Sequence, residues 1–456
     1  MPNQSTSRPL ASIFHLVANL QPSLRAYSAL AGGFLALFTT VGFLNAYGVF
    51  QAYYQSDLLR EQSASAISWI GSVSVFLLYL GSGLAGPLLD RFGPTRLLCV
   101  GSAALLVAVF AASWCSQYWQ LFLAQGVLLG LGMSLVFCTP LGVVMRHMPR
   151  RRGLAVGVTI GGASIGGVVW PVLLQRLLVE HQVGFAWSMR VVGFVMVPLL
   201  GVVCLTVVEP RTKPVTGESL SAPGGGSQGA ETDAPSLDSG AEDGMTGAKE
   251  TGTKPPAGRP KMDFSVLRKP TYILLCVGLA IAFLGWFTPI FYISAYAVAM
   301  GQSSSTAFYL VAALNAASCF GRIVPGYLAD KYGHYNILTI STLLSGVVGF
   351  TWTAAVSLGG LIAWALAYGF VSGAVVSLQA ACAGKVAPHR SQGTAVGFMM
   401  ACVSVSALIG TPISGQILSH SGYLSLSIWT GTTLVVGAAV VGTARLLESK
   451  SVTVAF

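Results

Sequence analysis

Hydrophobic and polar positions fall along this chain in long blocks rather than in short periods. Twelve apolar runs occupy residues 28–53, 66–88, 95–114, 118–143, 153–178, 185–208, 271–299, 305–329, 336–356, 359–384, 393–418 and 424–447. Each is longer than about 18 residues and nearly free of charge, enough to cross a bilayer as a helix. The pattern predicts an all-α membrane protein with twelve transmembrane helices. One stretch breaks it. Residues 209–269 are rich in Gly, Ser, Pro, Thr and acids and carry too little apolar surface to fold, so they read as a disordered linker. Six runs precede it and six follow. The predicted organisation is an N-terminal tail (1–27), a six-helix half (28–208), the linker (209–269), a second six-helix half (271–447) and a short tail (448–456).

Composition agrees. Only 9% of the residues are charged, against roughly 25% in soluble domains. The first 27 residues are polar and hold no signal peptide, so the first run is expected to act as its own insertion signal. The net charge of +10 resembles a nucleic-acid signal, but its placement gives another reading. With twelve spans, all Lys and Arg lie on the N-terminal side of the membrane except Arg60, Arg176, Arg190 and the intramembrane Arg322. That asymmetry places both termini in the cytosol. The eight Cys stand singly in apolar runs, without a C-x-x-C pair or a Cys/His cluster, and read as packing residues.

The two halves repeat a short text. GPLLDRFGPTRLL at 86–98 reappears as GYLADKYGHYNIL at 326–338, with Gly86, Asp90, Arg91 and Gly93 matched by Gly326, Asp330, Lys331 and Gly333 at an offset of 240. At the same offset RRGLAVG (151–157) matches SQGTAVG (391–397). The pattern predicts two pseudo-symmetric halves, a known plan of secondary transporters. Each Asp-Arg/Lys stretch is expected to form the cytosolic turn after the second span of its half. Asp90 and Asp330 suit a cap on a following or neighbouring helix, and Arg91 and Lys331 are expected to pair with that network or with helix C-termini of the other half. The four are candidate gating residues, a latch between the halves.

These turns resemble the loop 2–3 motif of the major facilitator superfamily and its degenerate copy in loop 8–9. Within the superfamily, AGGFLALFTTVGFLNAYGVFQAYY (31–54), RRRGLAVGVTIGGASIGGVVWPVL (150–173) and NAASCFGRIVPGYLADKYG (315–333) resemble the monocarboxylate porter family, fungal type. The resemblance implies secondary transport by alternating access at the plasma membrane, with the vacuolar membrane as the alternative. It also implies a cavity lined by helices one, four, seven and ten. The family's helix-eight arginine corresponds to Arg322. Animal lactate carriers place Asp one turn earlier and Lys late in helix one; here those positions hold Ser318 and Val49.

The candidate substrate-binding residues are Arg322, Asn315, Asn45, Tyr292 and Gln379. Arg322 is the one charge inside a span, where a charge needs a partner or a wet cavity. It reads either as a handle for an anionic cargo or as a structural cation tied to carbonyls. Asn315, Ser318 and Cys319 share its helix face. No Asp, Glu or His sits mid-span, so the usual proton-coupling carboxylate is lacking. Facilitated diffusion, coupling through the cargo, and a rim carboxylate (Asp57, Glu61 or Asp90) all stay open. No nucleotide motif, metal cluster or nucleophile–base pair is present, so neither ATP drive, a cofactor nor an enzyme is expected. The partners expected are the lipid bilayer and a small organic acid or aromatic metabolite, with no nucleic acid. Efflux of a specialised metabolite is the first reading. Uptake or exchange of a monocarboxylate or vitamin-like compound is the second, and a non-transporting sensor the third.

Overall fold

The computed structural model describes residues 22–181, 183–210 and 264–448, and its regular elements are all helical. The tails and residues 211–263, which include most of the expected linker, lie outside the described residues. The linker's two ends do not follow the expectation. Glu209 pairs with Arg146, and residues 264–269 include a 3-10 turn, Ser265–Arg268, with Val266 fully buried.

Helix α1 (Pro22–Thr39) starts before the apolar run and continues through Val41–Leu44, Tyr47–Tyr53 and a π turn, Tyr54–Leu58. Its break at Thr40 has a local cause. The Thr39 hydroxyl donates back to Leu35 O and the Thr40 hydroxyl to Ala36 O, bonds that bend a helix. Next come α2 (Ala64–Phe92), α3 (Pro94–Ala112), α4 (Leu129–His147), α5 (Arg152–Gln175) and α6 (Phe185–Thr206). After the linker, α7 (Pro270–Trp286) stops at Phe287 and resumes as Thr288–Ala299, with Pro289 in its first turn. Then follow α8 (Ser304–Tyr332), α9 (His334–Phe350) and α10 (Leu358–Val386). The run Gln392–Glu448 is broken by Gly422 at φ 75° into α11 (392–421) and α12 (423–448).

Nine of the described helical stretches are long and apolar enough to cross a membrane. Helix α9, with 17 residues, is not among them. The outward faces are apolar. Leu84, Val100, Phe194 and Phe320 are each more than 60% exposed, a surface that water would not tolerate and lipid does.

Helices α2 and α8 have the same construction. Each is 29 residues long, begins on a serine whose hydroxyl accepts an amide N–H (Ser63 from Ala66, Ser303 from Thr306), and ends on a glycine at positive φ, Gly93 at 77° and Gly333 at 96°. The helix therefore runs on through Asp90–Arg91 and Asp330–Lys331, and the expected loop shrinks to one glycine. An L side chain would be strained at either φ.

Candidate functional site

A carboxylate in the last turn of a helix opposes that helix's own dipole. Asp90 and Asp330 stand there because they serve other helices. Asp90 accepts from the backbone N–H of Gly393 (3.1 Å) and Thr394 (2.7 Å) and from the Thr394 hydroxyl (2.6 Å), at the start of α11. Asp330 accepts from the N–H of Gly153 (2.8 Å) and Leu154 (2.9 Å), at the start of α5. The contacts are crossed: the carboxylate of each half caps a helix of the other. Charge-assisted bonds of this kind contribute roughly 1.5–3 kcal/mol each.

Bare backbone makes the approach close enough. A methyl group at Gly86 would lie 2.1 Å from Gly393 O, and one at Gly397 2.1 Å from Ser82 O, along the α2–α11 seam. Along α5–α8, a methyl at Gly157 would lie 2.2 Å from Arg322 O, and one at Gly326 2.4 Å from Gly153 O. The glycine stripe of α5 serves two neighbours, because Gly162 and Gly166 turn instead to the Phe34 and Phe38 carbonyls of α1.

The cation of the network is not the expected one. Arg91 and Lys331 are both exposed and lie over the rings of Phe92 and Tyr327, at 5.2 and 5.1 Å. At a helix end a long basic side chain gains more from solvent and an adjacent ring than from a carboxylate already filled by amide donors. The partner of Asp90 is Arg146 in α4, which is 8% exposed and also bonds Glu209. Arg152 in α5 donates to Gly384 O at 3.3 Å.

Arg322 is buried in the α5–α8 seam. Its Nη1 donates to Ile160 O at 2.9 Å, its own carbonyl accepts from Ser377 of α10 at 3.3 Å, and its Nε has no partner. In this conformation it ties helices together. Seven residues before it, Asn315 donates to Val311 O. A methyl at Gly167 would meet Asn45 Nδ2 at 2.8 Å and Asn315 Oδ1 at 3.2 Å, so these two candidates, from different halves, converge on one face of α5. Tyr292 is engaged elsewhere, donating to Thr411 O at 3.4 Å between α7 and α11. Gln379 is wholly buried in α10, and neither side-chain polar atom has a hydrogen-bond partner.

Tyr79 of α2 was absent from the sequence-based candidates. It lies in electrostatic range of Arg322. It is also the middle of an aromatic chain across the halves. Its ring is 6.1 Å from Phe137 of α4 and 6.5 Å from Phe283 of α7, which stacks on Trp286 at 5.1 Å. One signal could have found it: Tyr79 lies seven residues before Gly86, on the same helix face.

At the end bearing Gly93 and Gly333, α2 and α11 and α5 and α8 are joined through Asp90 and Asp330, with polar and aromatic groups further along the helices. The Major Facilitator Superfamily model matches residues 29–411 and, again, 310–453. The chain belongs to this superfamily. The transporter resembles, at 47% identity over 94% of both chains, an MFS-type transporter of Aspergillus fumigatus. It is 40% identical to the agnestins efflux protein of Paecilomyces divaricatus, over 92% of this chain and 88% of that one. The aspyridones efflux protein of Emericella nidulans is 33% identical over 93% and 78%. Among solved structures, the fold matches the Escherichia coli fucose:proton symporter (TM-score 0.65, 13% identity, covering 91% and 98%). It also matches the human organic anion transporter MFSD10 (TM-score 0.65, 14% identity, covering 92% and 100%).

Proposed function

We propose that this secondary transporter exports an aromatic, weakly acidic specialised metabolite by alternating access. Tyr79 carries the reading. One side chain joins the aromatic chain Phe137–Tyr79–Phe283–Trp286 and lies in the field of the buried Arg322 cation. A cargo with a flat ring and an acidic group meets both needs, by stacking and by charge. Asn45 and Asn315 at Gly167, Tyr292 and the unpartnered amide of Gln379 are the proposed neutral contacts. The relatives named as efflux proteins for agnestins and aspyridones support the direction.

In this reading all twelve helices span, in two pseudo-symmetric halves joined by a cytosolic linker, as fungal monocarboxylate porters are built. Both termini face the cytosol of the plasma membrane, the Gly93/Gly333 end is cytosolic, and no catalysis is involved. Asp90 and Asp330 are the gate, with Arg146 in the role first assigned to Arg91. The test compares metabolites in cells and medium with and without the gene in its native host. An aromatic acidic product trapped inside the deletion strain is expected. Unchanged products with slower consumption of an external acid or vitamin would overturn export and leave the uptake reading.

A further inference from the structure

The two capping carboxylates have different cationic company. Asp90 is paired with Arg146, a permanent cation. The position 240 residues on from Arg146 holds Val386, which carries no charge. Beside Asp330 stands instead His334, the first residue of α9, where the other half has Pro94. His334 Nε2 is 3.2 Å from Asp330 Oδ1, an ion-pair distance. The ring is 8% exposed, and among the described residues neither of its nitrogens makes a hydrogen bond. A buried ring with two unbonded nitrogens against a carboxylate has room for one more proton. We propose that His334 and Asp330 form a proton-binding site, and that proton uptake by the ring tightens the α5–α8 closure while leaving the α2–α11 closure unchanged.

The surrounding groups fix where the proton goes. On neighbouring elements, Arg152 of α5 bonds Gly384 O beside Lys385 of α10, Arg445 of α12 bonds Asn336, two residues from His334, and His389 lies in the field of Arg146, Arg152 and Glu209. Lys331 on α8 is turned away over Tyr327. Lys385 lies in the field of both Asp330 and Arg152. Two amide N–H groups already donate to the Asp330 carboxylate, whereas both ring nitrogens are unbonded, so the ring is the group with room for an added proton. Histidine is the side chain that ordinarily changes charge between pH 5 and 8. The imidazolium then neutralises a carboxylate that also caps α5. Because the closed state holds the ring 3.2 Å from Asp330, proton uptake by the ring favours that state. This inference rests on the crossed caps alone and stands whatever the cargo.

Hydrogen exchange of the whole protein in lipid nanodiscs tests it, at pH 7.5 and pH 5.5, with rates normalised to unstructured amides. The Gly393 and Thr394 amides, held by Asp90, are the internal reference. Protection of Gly153 and Leu154 relative to that reference should rise about two- to fivefold on acidification. His334→Gln should abolish the rise, and His334→Arg should give the high ratio at both pH values. An unchanged ratio in the parent protein, or the same rise in His334→Gln, overturns the proposal. If His334→Gln loses protection at both helix starts, that end has unfolded and His334→Arg decides. A high, pH-independent ratio then supports the proton site, and any other overturns it.

Discussion

The seams α2–α11 and α5–α8 are built to one plan and wired differently. In each, a glycine pair brings backbones together and an aspartate from the end of one helix caps the start of its partner in the other half. The Asp90 cap has an extra hydroxyl donor from Thr394 and a buried arginine that reaches on to Glu209. The Asp330 cap has two amides and a histidine. The backbone geometry needs only Gly and Asp, so these recur at a fixed offset. The charges around them answer to local packing and are free to diverge. The two seams are therefore alike in backbone geometry and different in their charged partners.

The largest effect should come from attacking what the seams share. Gly86→Val and Gly326→Val each place side-chain atoms where a carbonyl oxygen stands within 2.4 Å of a bare methyl. Cargo release to the medium should fall at least about tenfold in both, a barrier change of about 1.4 kcal/mol or more, with the protein still at the membrane. Normal release by either would remove that seam from the gate. Next comes the difference between the carboxylates. Asp90→Asn removes the amide capping and one of the two anions on Arg146, Glu209 remaining, a loss larger than the roughly 1–3 kcal/mol of capping alone. Asp330→Asn loses roughly 1–3 kcal/mol of amide capping. Thermal midpoints in nanodiscs should fall in that order, and the reverse order would break the comparison.

Arg322→Lys comes third. It keeps the charge and loses the planar fork that reaches Ile160 O. Export should drop several-fold with expression intact, and unchanged export would sink the cargo-handle role. The smallest effect should be that of Arg91→Gln and Lys331→Gln. Both side chains lie on rings in solvent, so export should change less than about twofold. A large loss would restore them to the latch.

How much of this was readable beforehand depends on the kind of interaction. Helix and seam positions follow from run length and from Gly and Asp spacing, so the repeat at 86–93 and 326–333 marked both caps. The choice of cation did not follow. Arg91 is adjacent to Asp90 in sequence, but neighbours in a helix point about 100° apart, whereas Arg146 arrives from α4 across the fold. Tyr79 was hidden because one tyrosine in FLLYLG looks like core until Phe283 of the other half is beside it. The tight turns at Gly93 and Gly333 were expected, but not that a single glycine makes each. Only the structure shows the helix carrying on to Phe92 and Tyr332.

The central claim is that each half's aspartate caps the other half's helix, and amide exchange measured residue by residue tests it most directly. In Asp90→Asn, exchange should quicken at Gly393 and Thr394 while Gly153 and Leu154 keep their protection. In Asp330→Asn the pattern should invert. Exchange quickening at both helix starts in either variant, or at neither, would contradict the crossed-cap account.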